Sequence, residues 1–319
     1  MPKLCPDDHP RITQEFVARC LRQYGLAAGK ADELKDGIEN ATVKVPTGSR
    51  QVVALRVYRQ NKKSRLGVQA EVEFMEFLRT HRVHSIPVPE VLRTKAEASV
   101  TRAEHDGKDW LCMVMNFIEG EALDHYDDEL IDRLARLQAQ MHLLGSEFAN
   151  THTPEGSSTT PSSLPVPDEA FPEEPVTSPA LRDFLDNAKL YRVKLRPTLP
   201  LGWCHLDFGL GNLLFDEQKR VVGLLDFDDS AFMPSVVCLG YMLRDVLWVD
   251  GDTSRLEPYV AAYETVRPLT AEEKCVLPRI MLLRHYHGSG VDARLRGADA
   301  AAVGKMVLQE RRIRELAFC

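Results

Sequence analysis

Two short apolar runs in the second half of the chain flank a polar turn, and both carry acidic or amide residues at fixed places. The first, Trp203-Cys-His-Leu-Asp-Phe-Gly-Leu-Gly-Asn-Leu-Leu-Phe215, sets His205, Asp207 and Asn212 as His-x-Asp-x-x-x-x-Asn. The second, Val221-Val-Gly-Leu-Leu-Asp-Phe-Asp-Asp229, delivers Asp226 straight after Leu224 and Leu225. Asp216 to Arg220 supplies the turn, so the pattern predicts a strand–loop–strand hairpin. Such a hairpin gathers Asp207, Asn212 and Asp226 at one end of a sheet. A solvated hairpin would explain Asp207 and Asp226 as turn residues, but no turn residue precedes Asp226.

Phosphoryl transfer needs this set of groups. A carboxylate orients the attacking hydroxyl and accepts its proton. An amide oxygen and a second carboxylate hold magnesium against nucleotide phosphates, where the metal neutralises transition-state charge.

The remainder of the chain divides by pattern. Arg11 to Tyr24 has apolar residues at helical spacing and ends at Gly25, which predicts a helix. Ala41 to Val45 and Gln51 to Tyr58 read as strands around the turn Pro46-Thr47-Gly48-Ser49. A helix is expected from about Val68 to Arg82, stopped by Pro87 and Pro89. Val91 to Arg102 and Trp110 to Phe117 form a second strand pair with Asp106-Gly107 at its turn. Beyond Glu119-Gly120 the pattern becomes helical, beginning with Leu130 to Leu144. An α+β chain with two lobes follows, residues 1–116 sheet-rich and 117–319 mainly helical. Within the second lobe, residues 150–179 are rich in Ser, Thr and Pro and predict a flexible insertion, either plain loop or lid.

Composition narrows the class. Of 319 residues, 44% are hydrophobic and 27% charged, as in globular proteins. No apolar run reaches the roughly 20 residues that span a bilayer, and Met1 to Arg22 lacks a signal core, so a cytoplasmic protein is expected. A net charge of −7 disfavours nucleic-acid binding and tolerates a cationic substrate. The seven cysteines show no C-x-x-C spacing, which argues against structural zinc, and mostly sit in apolar runs as buried thiols would.

From about Leu34 to Arg284 the sequence resembles the aminoglycoside phosphotransferase and choline kinase family, which includes type II homoserine kinase and fructosamine kinases. The resemblance implies a bilobal protein-kinase-like fold with ATP in a cleft between the lobes. Leu34 to Val43 looks like the nucleotide-covering loop, with Gly37 and Asn40 at its characteristic positions. Val53 to Arg59 looks like the third strand, placing Arg56 near the phosphates, with Glu71 as the helix carboxylate that would pair with it. Cys112 to Gly120 resembles the hinge that meets adenine through backbone groups of Asn116, Phe117 and Ile118. By the same match Asp207 is the catalytic base, His205 supports its loop, and Asn212 and Asp226 bind Mg²⁺. The chain departs from the family pattern at Leu206, where Gly is usual, at Phe208-Gly209-Leu210, and at Cys238, where a bracing Asp is usual.

Acidic residues cluster where the family binds acceptors, among them Glu121, Asp124, Asp228 and Asp229. They suit an amine-bearing alcohol or aminoglycoside, although acidic residues at a helix start also arise from the helix dipole. Arg284 could instead meet a carboxylate, so an amino-acid kinase of homoserine-kinase type stays open, as does a catalytically weak nucleotide-binding relative. A protein kinase is disfavoured, because Pro234 follows Asp226 too soon for an activation loop.

Overall fold

The computed structural model describes residues 12–33, 40–48, 51–60, 63–81, 86–152, 162–172, 176–251 and 253–318. They pack as two compact units, one within Lys3–Glu121 and Leu214–Asp228, the other within Ala122–Leu213 and Asp229–Cys319.

The first unit begins with α1 (Gln14–Gln23), capped by the Thr13 hydroxyl, which accepts from the Phe16 amide at 3.2 Å. Its residues Phe16, Val17, Cys20 and Leu21 are buried along one face. Next come β1 (Asp32–Glu33), β2 (Ala41–Pro46), β3 (Val52–Val57), α2 (Arg65–Thr80), β4 (Val100–His105) and β5 (Lys108–Asn116). The strands form one antiparallel sheet in the order β1-β2-β3-β5-β4. Asp106 and Gly107 turn between β4 and β5 with φ of 51° and 72°, the pair of positive angles that matches strand twist.

Alternation decides what β3 presents. Val53, Leu55 and Val57 face the core formed with α1, in which Val43, Val45 and Val114 also pack. Arg56 therefore stands on the opposite face of the same strand. The strand expected over 91–102 is shorter in fact. Val91 only bridges to Met115, and a turn closed by the Thr94 amide on the Ala98 carbonyl at 2.9 Å delays β4 to Val100.

The second unit starts with α3 (Asp128–Thr151), followed by β6 (Ser163–Pro165), α4 (Pro179–Leu190), β7 (Arg192–Lys194) and β8 (Leu201–Cys204). The hairpin β9 (Leu213–Phe215) and β10 (Val221–Leu224) comes next, and from Leu214 to Asp228 it packs with the first unit. The chain then returns through β11 (Ala231–Pro234), which pairs with β8, and through α5 (Ser235–Asp250), α6 (Leu256–Glu264), α7 (Ala271–Arg296) and α8 (Ala300–Arg314). Strands thus concentrate in the N-terminal part and helices in the C-terminal part, as the sequence implied. No helix among the described residues is long and apolar enough to cross a membrane.

Within residues 150–179, expected as a flexible insertion, the described residues carry short elements. β6 pairs with β7, and Val166, Ala170 and Phe171 are buried. These apolar residues anchor an otherwise polar stretch. Residues 153–161 and 173–175 lie outside the described ones.

Contact between α3 and β8 depends on Gly145. A Cβ there would lie 2.0 Å from the Trp203 carbonyl oxygen, and backbone cannot swing aside as a side chain can. Gly145→Ala should destabilise the protein by about 1–3 kcal/mol, beyond the roughly 1 kcal/mol that alanine returns as helix propensity. Urea denaturation should show a lower midpoint with an unchanged slope. A midpoint equal to wild type would mean that α3 separates from β8 without cost.

Candidate active site

In the sheet-bearing unit the site centres on Arg56. Its Nη2 donates to Asp226 Oδ1 at 2.8 Å and to Asp228 Oδ2 at 2.6 Å. Asn40 donates to the same Asp228 oxygen, and the Asn40 Oδ1 accepts from the Arg59 amide at 2.8 Å. Burial alone would lower the Arg56 pKa, but Asp226 and Asp228 more than offset it and hold the guanidinium above its ordinary value. Burial raises the Asp228 pKa against the pull of Arg56, and the like charge of Asp226 adds to the rise. Asp226 itself adopts φ of 62°, a left-handed geometry that short polar residues tolerate best. Two contacts fix the end of β10 beside it. The Leu224 amide donates to the Pro87 carbonyl at 2.6 Å, and Phe227 meets Phe74 of α2 edge-on at 6.0 Å.

The expected Arg56–Glu71 ion pair does not form. Glu71, 2% exposed, is bound by Lys63 at 2.7 Å and by the Tyr58 hydroxyl at 2.9 Å. Arg56 goes where two carboxylates converge, and Lys63, ahead of α2, reaches Glu71 with its side chain, so each buried charge has its own partner. Burial pushes the Glu71 pKa up and Lys63 opposes it.

The hinge residues are partly engaged already. The Asn116 amide donates to Glu90 at 2.9 Å and the Phe117 amide to Val52 at 3.2 Å. No backbone bond of this kind holds the Ile118 amide among the described residues. Gly37 lies outside the described residues.

In the helical unit the site centres on Asp207. Asn212 Nδ2 donates to Asp207 Oδ2 at 2.6 Å and to its carbonyl at 2.9 Å. Arg284 Nη2 donates to Asp207 Oδ1 at 2.6 Å. The Asp207 amide donates to Nδ1 of His205, which is fully buried, at 3.2 Å, so His205 shapes the loop from within. Both Asp207 oxygens are thus held while the side chain stays 34% exposed. Leu206 adopts φ of 66°, where Gly would be unstrained. That geometry costs about 1–3 kcal/mol, and burial of its side chain to 8% exposure offsets it.

Near this loop lies Cys238, whose thiol burial raises to about 11. Gln138 Nε2 of α3 reaches its sulfur at 3.4 Å.

The other acidic residues are less gathered. Glu121 exchanges backbone bonds with Phe215 at 2.9 Å and its side chain is exposed. Asp124, 97% exposed, pairs with His125. Asp228 is turned to Arg56 and Asn40, whereas Asp229 is exposed and acts on Arg284 and Tyr241.

A family model described as the phosphotransferase enzyme family matches residues 30–274. The chain belongs to this family. Homoserine kinase of Burkholderia vietnamiensis strain G4 is 26% identical over 281 residues, covering 82% of this chain and 80% of that protein. Homoserine kinase of Polaromonas naphthalenivorans strain CJ2 is 36% identical over 87 residues, 26% of this chain and 27% of that one. Among solved structures, a microcompartment-associated aminopropanol kinase matches at 19% identity and TM-score 0.68, covering 95% of this chain and 97% of that one. An amicoumacin kinase solved with AMP-PNP and Ca²⁺ matches at 15% identity and TM-score 0.70, covering 96% and 94%. At such identities the likeness establishes the kinase-like fold. As a family member the chain is a small-molecule kinase with a hydroxyl acceptor, and kinases of this family use ATP.

Several residues that surround these side chains escaped sequence reasoning. Lys63 sits in a basic stretch with nothing to single it out. Tyr241, Arg244 and Asp245 lie on α5, whose strong hydrophobicity reads as core. Two charged residues inside such a helix were the available signal.

Proposed function

We propose that the chain transfers the γ-phosphate of ATP, with Mg²⁺, to a hydroxyl group of a small amine-bearing molecule. The observation that carries this reading is the half-exposed Asp207 carboxylate, held through one oxygen by Asn212 and through the other by Arg284. Asp207 would accept the proton of the acceptor hydroxyl as its oxygen attacks the γ-phosphorus. The bond from phosphorus to the β,γ-bridging oxygen breaks, ADP leaves, and the proton passes from Asp207 to water. His205 keeps the loop in shape. Arg56 would neutralise phosphate charge, with Asp228, Asn40, Glu71 and Lys63 holding its surroundings, and Ile118 would meet the adenine edge.

Each unit carries an oxygen donor of the kind Mg²⁺ takes. In the helical unit Asn212 uses its amide nitrogen on Asp207, which leaves its Oδ1 for a ligand. In the sheet-bearing unit Asp226 gives one oxygen to Arg56 on a side chain 43% exposed. Among the described residues no three His, Cys, Asp or Glu side chains make a metal site alone. When bound, the metal would neutralise charge on the transferring group.

On this reading the sheet-bearing unit serves the nucleotide and the helical unit the acceptor, in a cytoplasmic enzyme that needs neither nucleic acid nor membrane. A second reading, an amino-acid acceptor of homoserine type, is favoured by relatives matched over 80% of their length. Screening amino alcohols, amino acids and aminoglycosides for ADP release tests the proposal. One class should stimulate release and give a phosphomonoester by phosphorus NMR. ATP consumption that no acceptor stimulates would overturn it and favour a nucleotide-binding relative.

A further inference from the structure

In the helical unit Arg284 sits beside Asp207, and its charge acts on a second buried arginine, Arg244. Arg284 on α7 stacks over the Tyr241 ring of α5 at 5.1 Å. Arg244 on α5 is 6% exposed, lies over the Trp248 ring at 4.5 Å and binds Asp245 at 3.1 Å. A guanidinium carries five N–H donors. Arg284 Nη2 is used on Asp207 and Arg244 Nη1 on Asp245, but Arg284 Nε, Arg244 Nε and Arg244 Nη2 are buried with no acceptor among the described residues.

This arrangement is costly for a structural role. A buried donor left unmade forfeits about 1–3 kcal/mol, and more when charged. Apolar residues of similar size would pack α5 against α7 at least as well. α7 also makes room for Arg244, because a Cβ at Gly288 would stand 2.8 Å from its Nη2. Burial lowers the Arg244 pKa, Asp245 resists, and the nearby charge of Arg284 lowers it further. Two neighbouring cations with unmade donors are what a small planar anion would complete.

We infer that Arg284 and Arg244 form a subsite for a carboxylate on the acceptor, so that the enzyme selects a hydroxy amino acid over the corresponding amino alcohol. The inference rests on the phosphotransfer reading above. Carboxylate oxygens match the guanidinium fork in spacing and plane. Arg284 lies 2.6 Å from Asp207, so a carboxylate seated on it leaves the hydroxyl of a short acceptor within reach of Asp207. Asp229 and Asp245, which both act on Arg284, would receive the ammonium group.

Three matched pairs isolate the carboxylate: L-serine and 2-aminoethanol, L-threonine and 1-aminopropan-2-ol, L-homoserine and 3-aminopropan-1-ol. In the pair with the highest turnover, wild type should prefer the amino acid in kcat/KM by about tenfold or more, the worth of one charge-assisted bond. Arg244→Met, at a residue that makes no bond to Asp207, should collapse that preference by raising KM for the amino acid with kcat little changed. Arg244→Lys keeps the charge without the fork and should give an intermediate loss, which serves if the methionine variant folds poorly. Equal use of both pair members by wild type would overturn the inference. So would an unchanged preference in both variants with a raised KM for ATP, which would assign the arginines to phosphate. If no member of any pair supports ADP release, the phosphotransfer reading loses support separately. The subsite is then judged by thermal shift. Stabilisation by an amino acid alone, lost in Arg244→Met, supports it, and equal shifts with both pair members defeat it.

Discussion

Asp207→Ala should lower kcat by about 10²- to 10⁴-fold, the usual loss when a positioned general base is removed, while ATP still binds with near-normal affinity. The carboxylate is proposed to act on the acceptor proton and not on the nucleotide, so its loss should fall on the chemical step. A structural side effect must be separated from this one. Asp207 is the ionic partner of Arg284, and burial makes an unpaired guanidinium expensive. Asp207→Asn keeps the shape and can still accept from Arg284, so it should melt closer to wild type yet remain as slow as the alanine variant. Single-turnover phosphate transfer and nucleotide titration measure the two effects. Normal turnover in the asparagine variant would remove Asp207 from the role of base.

Asp226→Ala should abolish transfer and, unlike the Asp207 variants, weaken binding of the magnesium–nucleotide complex. The expected signature is loss of metal dependence. Wild type should bind ATP more tightly with Mg²⁺ than with EDTA, and the variant should bind equally in both. Folding should survive, because Asp226 is 43% exposed and Arg56 keeps Asp228 at 2.6 Å. Calorimetric titration with and without metal reads the difference directly. A variant that retained full magnesium dependence would show that Asp226 is an ordinary partner of Arg56.

Much of the fold was legible because its signals are local. The three- and four-residue spacing of Phe16, Val17, Cys20 and Leu21 marks α1, and Asp106-Gly107 marks its hairpin. Within 150–179, the buried Val166, Ala170 and Phe171 were not legible, because average composition hides a few apolar residues in a polar stretch. Nor does sequence show which backbone groups the chain itself uses: the Asn116 and Phe117 amides bond to Glu90 and Val52.

By itself the sequence determined which faces and which order the chemical groups take. Alternation along β3 puts Arg56 opposite the core, and an apolar run that ends at Asp226 sets that carboxylate at a strand end. Tertiary structure alone decided which charges meet. Arg56 chooses Asp226 and Asp228 across 170 and 172 residues in place of Glu71, and Arg284 reaches Asp207 across 77. Periodicity fixes the direction of a side chain from its neighbours in the chain. A buried ion pair forms wherever distant segments bring opposite charges into one desolvated place, and no local pattern encodes that meeting.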